Sequence, residues 1–329
     1  MNIAMFSNSI VPPKYYGGIE RVIDWLIKEL TAMGHRIYFF GPYGSEVPLA
    51  AKIFYLTDAD GEVSKQVSDG SLRVPEDTDI IHLHGLINMD SDFPVLKTIH
   101  GYPFLENGTV CADKSDRFDD YCSFLSNAHR NTCGRPDNPY VYNGLDLNDY
   151  IYAEDKDEYF LFLGKVDWNV KGLSIALKIA ENQNLKLIIA GDFMDDSFYE
   201  TELRPRLTKD IQYIGPVGGK EKASLLAKAR ALIFPTLWHE PFGLVVIEAL
   251  ASGTPVLTFF NGAMPEIMRH GVTGFMAGTE EEMEGQIKYI DQIDPRVCRD
   301  HVEKHFTART MSQNYLRLYN LVIDKYNMQ

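Results

Sequence analysis

Short apolar runs alternate with amphipathic stretches along most of this chain, and no other feature of the sequence constrains the fold as strongly. The first half predicts strands over Asn2–Phe6, Arg36–Phe40, Ile80–His84 and Val95–Ile99, with a helix over Ile19–Met33. The second half predicts strands over Tyr159–Leu163, Lys186–Ala190, Ile211–Ile214, Leu232–Phe234 and Pro255–Phe259. Strands and helices that alternate in this way form parallel sheets with crossover helices. The sequence therefore predicts an α/β protein with two doubly wound sheets.

The length of 329 residues exceeds what a single hydrophobic core usually supports, so we expect two domains. The turn signal Asn143-Gly144, followed by an acidic stretch, places the linker near the middle of the chain. We predict a first domain over residues 1–150 and a second over 151–309. A helical pattern follows, and we expect residues 310–329 to pack back on the first domain. The segment Pro103–Pro139 has no clear period, and we assign it no structure.

The composition is that of a globular protein, with 45% hydrophobic and 24% charged residues. A formal net charge of -14 argues against a surface that is drawn as a whole to nucleic acid or to anionic lipid. The N-terminal segment has the pattern of a first strand and not of a signal peptide, so we predict a cytoplasmic protein. We expect no integral membrane association, and peripheral contact with a membrane remains possible. Its cysteines are expected to be reduced thiols: Cys111, Cys122, Cys133 and Cys298.

Paired glycines follow the first predicted strand. Gly17 and Gly18 stand at the start of the first predicted helix. Backbone without side chains can approach an anion closely, and a helix N-terminus favours negative charge. The motif predicts a phosphate-binding loop, although an ordinary glycine turn has the same pattern.

Two lysines follow the first strand of the second half. Gly164-Lys165 comes directly after the strand, and Lys171-Gly172 opens the next helix. Two ammonium groups near one helix start can hold a diphosphate and stabilise negative charge on a leaving group. The alternative is a pair of solvated surface lysines.

The stretch from Phe234 to Leu250 runs from a strand end through a loop into a helix. Glu240 lies in the loop and Glu248 in the helix, and Phe242-Gly243-Leu244 would present unpaired backbone amides to a ligand at the helix start. One carboxylate can bind sugar hydroxyls and the other a ribose. Helix capping or solvation is the alternative for both carboxylates.

These motifs together resemble the family 4 retaining glycosyltransferases of GT-B fold. The matching segments follow the order of that family along nearly the whole chain: Gly17 to Arg21, Thr98 to His100, Asn143 to Asp146, Gly164-Lys165, Lys171-Gly172, Glu240 to Glu248, and Gly271 to Phe275. The resemblance implies two Rossmann-like domains that face each other across a cleft. It also implies that the first domain binds the acceptor and the second binds a nucleotide-sugar donor.

In that family two glutamates separated by seven residues form the signature. The resemblance implies that Glu240 contacts the donor sugar and that Glu248 contacts the ribose. Lys165 and Lys171 match the basic pair that holds the donor diphosphate, where the first position is more often arginine. A lysine lacks the planar guanidinium of arginine, so its hydrogen bonds to the diphosphate differ from those of the arginine that is usual in the family.

Three further positions match the family in single residues. His100 corresponds to the histidine that contacts the reacting sugar, and Gly18, beside Gly17, to the loop glycine near the diphosphate. Val217 resembles the position whose backbone contacts the nucleobase. The predicted catalytic group is therefore Glu240, His100, Lys165 and Lys171.

The resemblance implies transfer of a hexosyl group from a nucleotide-diphosphate sugar to an acceptor hydroxyl, with retention of configuration and without a metal ion or other cofactor. We expect a UDP-sugar in preference to a GDP- or ADP-sugar, and a glycan or a small molecule as the acceptor; no nucleic acid is expected as a partner. A nucleotide-sugar epimerase, a phosphorylase or a non-catalytic sugar-nucleotide-binding protein remains an alternative. Metal ligands in Asp58-Ala59-Asp60 or Asp90-Ser91-Asp92 would indicate another transferase class.

Two histidines alternate along the strand predicted over Ile80–His84. His82 and His84 therefore point to the same face of the sheet, and His84 stands at the strand end where ligands bind. We interpret both as buried, hydrogen-bonded side chains, with a functional role as the alternative.

Overall fold

The chain forms two compact units in this computed structural model. The structure describes residues 1–13, 17–49, 51–68, 71–85, 89, 91–102, 105–106, 109–110, 118–119, 121–167 and 169–328. One unit consists of Met1–Gly144 together with Ala308–Gln329, and the other of Leu145–Thr307.

The secondary structure alternates between strands and helices along both units. In chain order, the strands are β1 (Asn2–Phe6), β2 (Arg36–Gly41), β3 (Lys52–Tyr55), β4 (Ile80–His84), β5 (Val95–Thr98), β6 (Leu105–Glu106), β7 (Thr109–Val110), β8 (Cys122–Ser123), β9 (Phe160–Leu163), β10 (Leu187–Ala190), β11 (Ile211–Tyr213), β12 (Ala231–Phe234), β13 (Val256–Phe259) and β14 (Gly274–Ala277). The α-helices are α1 (Gly18–Ala32), α2 (Lys65–Ser68), α3 (Asn127–Thr132), α4 (Leu173–Gln183), α5 (Asp196–Phe198), α6 (Gly219–Lys228), α7 (Leu244–Ala251), α8 (Met264–Ile267), α9 (Glu280–Gln286), α10 (Pro295–His305) and α11 (Ala308–Asn327).

The first unit is built on a parallel sheet with the strand order β3-β2-β1-β4-β5-β8. All five residues of β4 are buried, as are four of the five in β1, which is what a sheet covered on both faces requires. The strand order is that of the Rossmann fold, in which the direction of winding reverses between β1 and β4.

The second unit repeats this architecture with the order β11-β10-β9-β12-β13-β14, and its strands are also parallel. The direction of winding reverses between β9 and β12. The prediction of an α/β protein with two doubly wound sheets is therefore confirmed. Because ligands of such sheets bind at the carboxyl ends of the strands beside this reversal, the loops after β9 and β12 are the first places to look for a site.

Three strands of the two sheets were not predicted. The edge strand β3 has two exposed and two half-buried residues, so it lacks an apolar run. The strand β8 has only two residues, and β14 begins with a glycine, which strand patterns usually exclude. The segment Pro103–Pro139 contains the β6–β7 hairpin, β8 and α3 in its described part. Short pairings such as these leave too few residues for a detectable period.

The C-terminal helix α11 belongs to the first unit, where it packs against α1 and β5. Its Tyr315 and Tyr319 are completely buried. The Tyr319 hydroxyl is hydrogen-bonded to His82 Nδ1 at 2.8 Å, and the Tyr315 hydroxyl lies 3.2 Å from Thr98 Oγ1. The other ring nitrogen of His82 lies 2.7 Å from Thr98 Oγ1, so both nitrogens have partners. This polar network fixes the register of α11 on the sheet.

The buried histidines of the first unit predict a loss of stability in mild acid. Burial lowers the pKa of His82 and His100 to about 3 and of His129 to about 4, and it lowers that of His84 well below 6.5. The unfolded chain therefore binds more protons than the folded one as the pH falls through 6.5, and the stabilisation present above that pH is lost. We expect the free energy of unfolding to fall by at least about 3 kcal/mol between pH 7 and pH 5. Urea unfolding at pH 7 and pH 5 measures this loss of free energy, and amide exchange in β4 and α11 reports it locally. A urea midpoint that does not change with pH would contradict the prediction.

Three cysteines are free and buried, namely Cys122, Cys133 and Cys298, and burial raises the pKa of each thiol to about 12. Cys111 lies outside the described residues. Among the described helices, none combines the length and the apolar character that a membrane span needs.

Candidate active site

Polar side chains gather at the carboxyl ends of β9 and β12, the neighbouring strands at the reversal point of the second sheet. Lys165 and Lys171 follow β9, and Glu240 follows β12. The position is the one where open α/β sheets bind their ligands. The fold thus brings these parts of the two sequence motifs to one edge of the sheet.

Backbone contacts lock the two loops together. The carbonyl of Val170 accepts hydrogen bonds from Leu237 N at 2.8 Å and from Thr236 Oγ1 at 3.2 Å. Gly172 has φ +81°, and a Cβ there would lie 2.0 Å from the carbonyl oxygen of Pro235. Only glycine combines this conformation with so close an approach. The sequence Lys171-Gly172 therefore presses the lysine loop against the loop that carries Glu240.

The ammonium of Lys171 is paired with the carboxylate of Glu240. Nζ lies 2.6 Å from Oε2, and each side chain is only 13% exposed. The Glu240 backbone is held as well, because its carbonyl accepts a hydrogen bond from Ala263 N at 2.9 Å, and a Cβ on Gly262 (φ +55°) would lie 2.4 Å from Glu240 N. The Coulomb attraction within a partly desolvated ion pair exceeds that within a pair on the surface, although desolvation of the two charges opposes it. The residues predicted for the diphosphate and for the donor sugar thus contact each other directly.

Lys165 has a different environment from Lys171. Its Nζ lies 3.1 Å from the thioether sulfur of Met194, and in the described part of the chain no carboxylate lies within ion-pair distance of it. A thioether is only a weak acceptor. The half-buried charge of Lys165 therefore lacks the compensation that Lys171 receives from Glu240.

Glu248 is buried in α7 with only 1% of its side chain exposed. The Tyr150 hydroxyl donates to Oε1 at 2.8 Å, and Lys222 Nζ lies 2.6 Å from Oε2. Both carboxylate oxygens therefore have protein partners, as a buried charge requires. The role of Glu248 toward a ribose stays a prediction, and a ribose hydroxyl would share or replace one of these contacts.

The sequence motifs did not point to Lys222 or Tyr150. Lys222 lies in the first turn of α6, and Tyr150 lies in the acidic segment near the predicted linker. Neither has a fixed spacing to Glu248, since α6 and α7 are separate elements. The sequence offered only one indication of such partners: a carboxylate in an apolar helix needs a cation or a hydroxyl group to bind it.

The start of α7 lies beside Glu240. Phe242 is buried, with its ring 5.9 Å from that of Phe306, and Leu244 is the first residue of the helix. Gly243 precedes the helix, and no side chain caps its N-terminus among the described residues. The first amide groups of a helix lack intrahelical partners, which suits an anion. Val217 is half-buried in the loop between β11 and α6.

The other predicted site residues belong to the first unit. Gly17 caps α1 and Gly18 is its first residue, and the Gly17 carbonyl accepts a hydrogen bond from Arg21 Nε at 3.0 Å. Lys14, Tyr15 and Tyr16 lie outside the described residues. His100 stands two residues after β5, and its Nε2 lies 2.9 Å from Nδ1 of His84. The neighbouring His82 is the buried, hydrogen-bonded histidine that was predicted.

The acidic triplets considered as metal ligands have different outcomes. Asp58 Oδ1 accepts hydrogen bonds from the amides of Asp60 and Glu62, so it caps a tight turn. Asp90 lies outside the described residues. Within the ranges that the structure describes, no group of three or more His, Cys, Asp or Glu side chains is arranged to hold a metal ion.

Comparison with known proteins identifies the second unit. Residues 150–294 match the model of the family described as Glycosyl transferases group 1. This segment is similar to the glycosyl transferases of group 1. It contains both lysines, Glu240 and Glu248, so the family resemblance inferred from these motifs is confirmed.

Curated relatives of this chain are named as glycosyltransferases or mannosyltransferases. An uncharacterized glycosyltransferase of Methanocaldococcus jannaschii is 33% identical over 133 residues, which cover 38% of this chain and 33% of that protein. A phosphatidyl-myo-inositol mannosyltransferase of Mycolicibacterium smegmatis is 23% identical over 313 residues, 80% of this chain and 78% of the relative. Among the first three relatives, the match spans between a third and a half of their length.

Solved structures extend the likeness to both units. A glycosyltransferase involved in avilamycin A biosynthesis has a TM-score of 0.77 at 24% identity and covers 98% of each chain. Anabaena HepE, in complex with UDP-glucose, has a TM-score of 0.70 at 17% identity and covers 97% of this chain and 99% of its own. At these identities the likeness shows the fold, and the predicted GT-B class is confirmed.

Proposed function

We propose that this chain is a retaining glycosyltransferase that moves a hexosyl group from a nucleotide-diphosphate sugar to an acceptor hydroxyl without a metal ion. The proposal rests on the similarity to the glycosyl transferases of group 1 and on the chemistry gathered at the ends of β9 and β12. The donor binds in the second unit, and His100, Gly17 and Gly18 of the first unit are assigned the roles that the family resemblance implies for them.

The observation that carries the proposal is the pair formed by Lys171 and Glu240. A cation suited to a diphosphate and a carboxylate suited to sugar hydroxyls are held 2.6 Å apart at the reversal point of the sheet. A sugar and the phosphate attached to its anomeric carbon are neighbours by covalent structure. The two side chains therefore have the spacing and the charges that recognise the junction between them.

The reaction follows from this arrangement. The bond between the anomeric carbon and the phosphate oxygen breaks, and the acceptor oxygen forms its bond on the same face of the sugar, so configuration is retained. The acceptor proton passes to an oxygen of the departing phosphate. Lys165, Lys171 and the first amides of α7 stabilise the charge that grows on this phosphate. Glu240 holds the sugar hydroxyls and is a positioning group, and the reaction needs no cofactor.

The substrates are proposed by class. A UDP-sugar is favoured as the donor, which accords with the UDP-glucose bound in the fold relative from Anabaena. The acceptor is a glycan or a small molecule with a free hydroxyl. Val217 and Glu248 are assigned to the base and the ribose, since Val217 lies in the loop before α6 and Glu248 is paired with Lys222 of α6.

A transfer assay tests the proposal and its independence from metal. The purified chain is incubated with UDP-, GDP- and ADP-sugars and a panel of sugar acceptors, with and without EDTA. We expect glycoside formation from at least one donor, at a rate that EDTA leaves within about twofold, because lysines take the place that a divalent cation would occupy. A loss of activity in EDTA that Mg²⁺ restores would contradict metal independence.

The same assay separates the alternatives. Conversion of the donor sugar to its epimer without an acceptor would identify an epimerase. Release of a sugar phosphate from a glycoside and inorganic phosphate would identify a phosphorylase. Saturable donor binding without any turnover would identify a sugar-nucleotide-binding protein, and each of these results would overturn the proposed transfer.

A further inference from the structure

Two histidines contact each other at the carboxyl ends of neighbouring strands in the first unit. His84 is the last residue of β4, and it pairs in register with Thr98, which ends β5 two residues before His100. The hydrogen bond between His84 Nδ1 and His100 Nε2 is 2.9 Å long, and the ring planes are inclined by only 27°. The fold therefore holds the His100 ring through a side chain on another strand.

Both rings are neutral at physiological pH. His84 is only 7% exposed, and burial lowers its pKa well below 6.5 and lowers the pKa of His100 to about 3. In a hydrogen bond between two neutral imidazoles, one nitrogen donates the proton and the other accepts it. The tautomers of the two rings are therefore coupled: a proton on His84 Nδ1 places the proton of His100 on Nδ1, and a proton on His84 Nε2 places it on Nε2.

The outer nitrogens of the pair are open. His84 Nε2 and His100 Nδ1 are buried, and neither has a hydrogen-bond partner among the described residues. Leaving such groups without a partner is costly, so they mark a position where a ligand is expected to bind. One of the two nitrogens donates and the other accepts, and a sugar hydroxyl can meet either need.

The surroundings show that the pair differs from the structural histidines beside it. Both nitrogens of His82 are bonded to residues of the sheet and of α11. His129 accepts a hydrogen bond from Leu125 N through Nδ1, and its Nε2 donates to the Gly101 carbonyl at 2.9 Å. His129 therefore fixes the backbone directly after His100, whereas the ring of His100 is oriented by His84.

We propose that His84 is a positioning residue for glycosyl transfer, which holds the His100 ring through Nε2 and couples its tautomer to that of His84, so that Nδ1 faces the reacting sugar. The inference rests on the proposed function, in which His100 contacts that sugar. His84 acts through His100 and does not itself need to touch the substrate. Loss of the contact frees the His100 ring to rotate and to exchange tautomers, which lowers turnover more than donor affinity.

Two amide substitutions at position 84 test which nitrogen of His84 makes this contact. In His84→Asn the amide group occupies the place of Nδ1 and can still bond His100, whereas in His84→Gln it reaches toward the place of Nε2. We expect His84→Gln to lower kcat by about 10- to 100-fold with an almost unchanged KM for the donor, and His84→Asn to retain most of the activity. Tyr319→Phe is the matched control, because it removes a buried hydroxyl from the His82 network without touching His100. We expect that variant to lose stability and to keep kcat.

A spectroscopic measurement tests the claim without turnover. In protein labelled with ¹⁵N-histidine, the His100 Nε2 signal should show a hydrogen-bonded nitrogen in the parent and in His84→Asn, and it should shift in His84→Gln, where Nε2 loses its partner. An unchanged His100 spectrum in His84→Gln would overturn the proposal. It would also be overturned if kcat fell equally in His84→Gln, His84→Asn and Tyr319→Phe, since that pattern follows stability alone. If the parent protein transfers no sugar, the proposed function fails, whereas the spectra still decide whether the side chain at position 84 holds the His100 ring.

Discussion

Glu240→Gln is expected to lower glycosyl transfer by about 100-fold or more, which is the cost of removing a positioned polar group from an active site. The carboxylate accepts hydrogen bonds from sugar hydroxyls more strongly than an amide does, and it orients the anomeric carbon toward the acceptor. The variant keeps the size of the side chain, so the loop between β12 and α7 is preserved. Initial rates at saturating donor measure the effect.

A matched control separates this effect from the loss of an ion pair as such. Glu280 forms an ion pair with Lys178 at 2.6 Å, as Glu240 does with Lys171, but on a more exposed face of the same unit. Glu280→Gln should therefore leave transfer unchanged. A rate for Glu240→Gln within twofold of the parent would show that this carboxylate does not bind the donor sugar.

The second large effect is expected from the two lysines after β9. Lys165→Ala and Lys171→Ala should each lower turnover by about 100-fold, because both ammonium groups face one leaving phosphate whose charge grows in the transition state. The double variant should lose less than the product of the two single losses, since groups that act on the same atoms are not independent. Turnover and urea midpoints of the four proteins measure this cycle.

Lys178→Ala provides the surface comparison for the cycle. Lys178 lies on α4, is 56% exposed and is paired with Glu280, so its ion pair contributes little. It should keep the parental turnover. If Lys165→Ala and Lys171→Ala keep the parental turnover as Lys178→Ala does, the two residues are solvated lysines and do not hold the donor diphosphate.

The sheets could be predicted because their strands are buried on both faces. Runs such as Ile80–His84 and Phe160–Leu163 consist mainly of apolar residues, which predicts a central parallel strand. The edge strand β3 and the two-residue β8 could not be predicted in this way, because their pairing depends on a neighbour that the local sequence does not reveal. The order of the strands was not predicted, because it depends on the winding of the whole sheet and not on any single segment.

The candidate site was predicted residue by residue, but its contacts were not. The motif spacing selected Lys171 and Glu240, whereas their ion pair depends on how two loops from separate strands pack. The burial of Glu248 against Lys222 and Tyr150 is likewise a tertiary property. Local periodicity places a side chain on a face of an element and says nothing about the element opposite it.

The measurement that tests the central claim most directly is a calorimetric titration of UDP and UDP-glucose into the parent protein and Glu240→Gln, in the presence of EDTA. In the parent, a diphosphate competes with Glu240 for Lys171, and only the sugar nucleotide offers Glu240 new partners. We predict that the parent prefers UDP-glucose, and that the variant binds UDP about tenfold more tightly, a gain of about 1.4 kcal/mol, and loses this preference. If neither protein binds either ligand, or if both bind them with the same preference, Lys171 and Glu240 do not hold the donor.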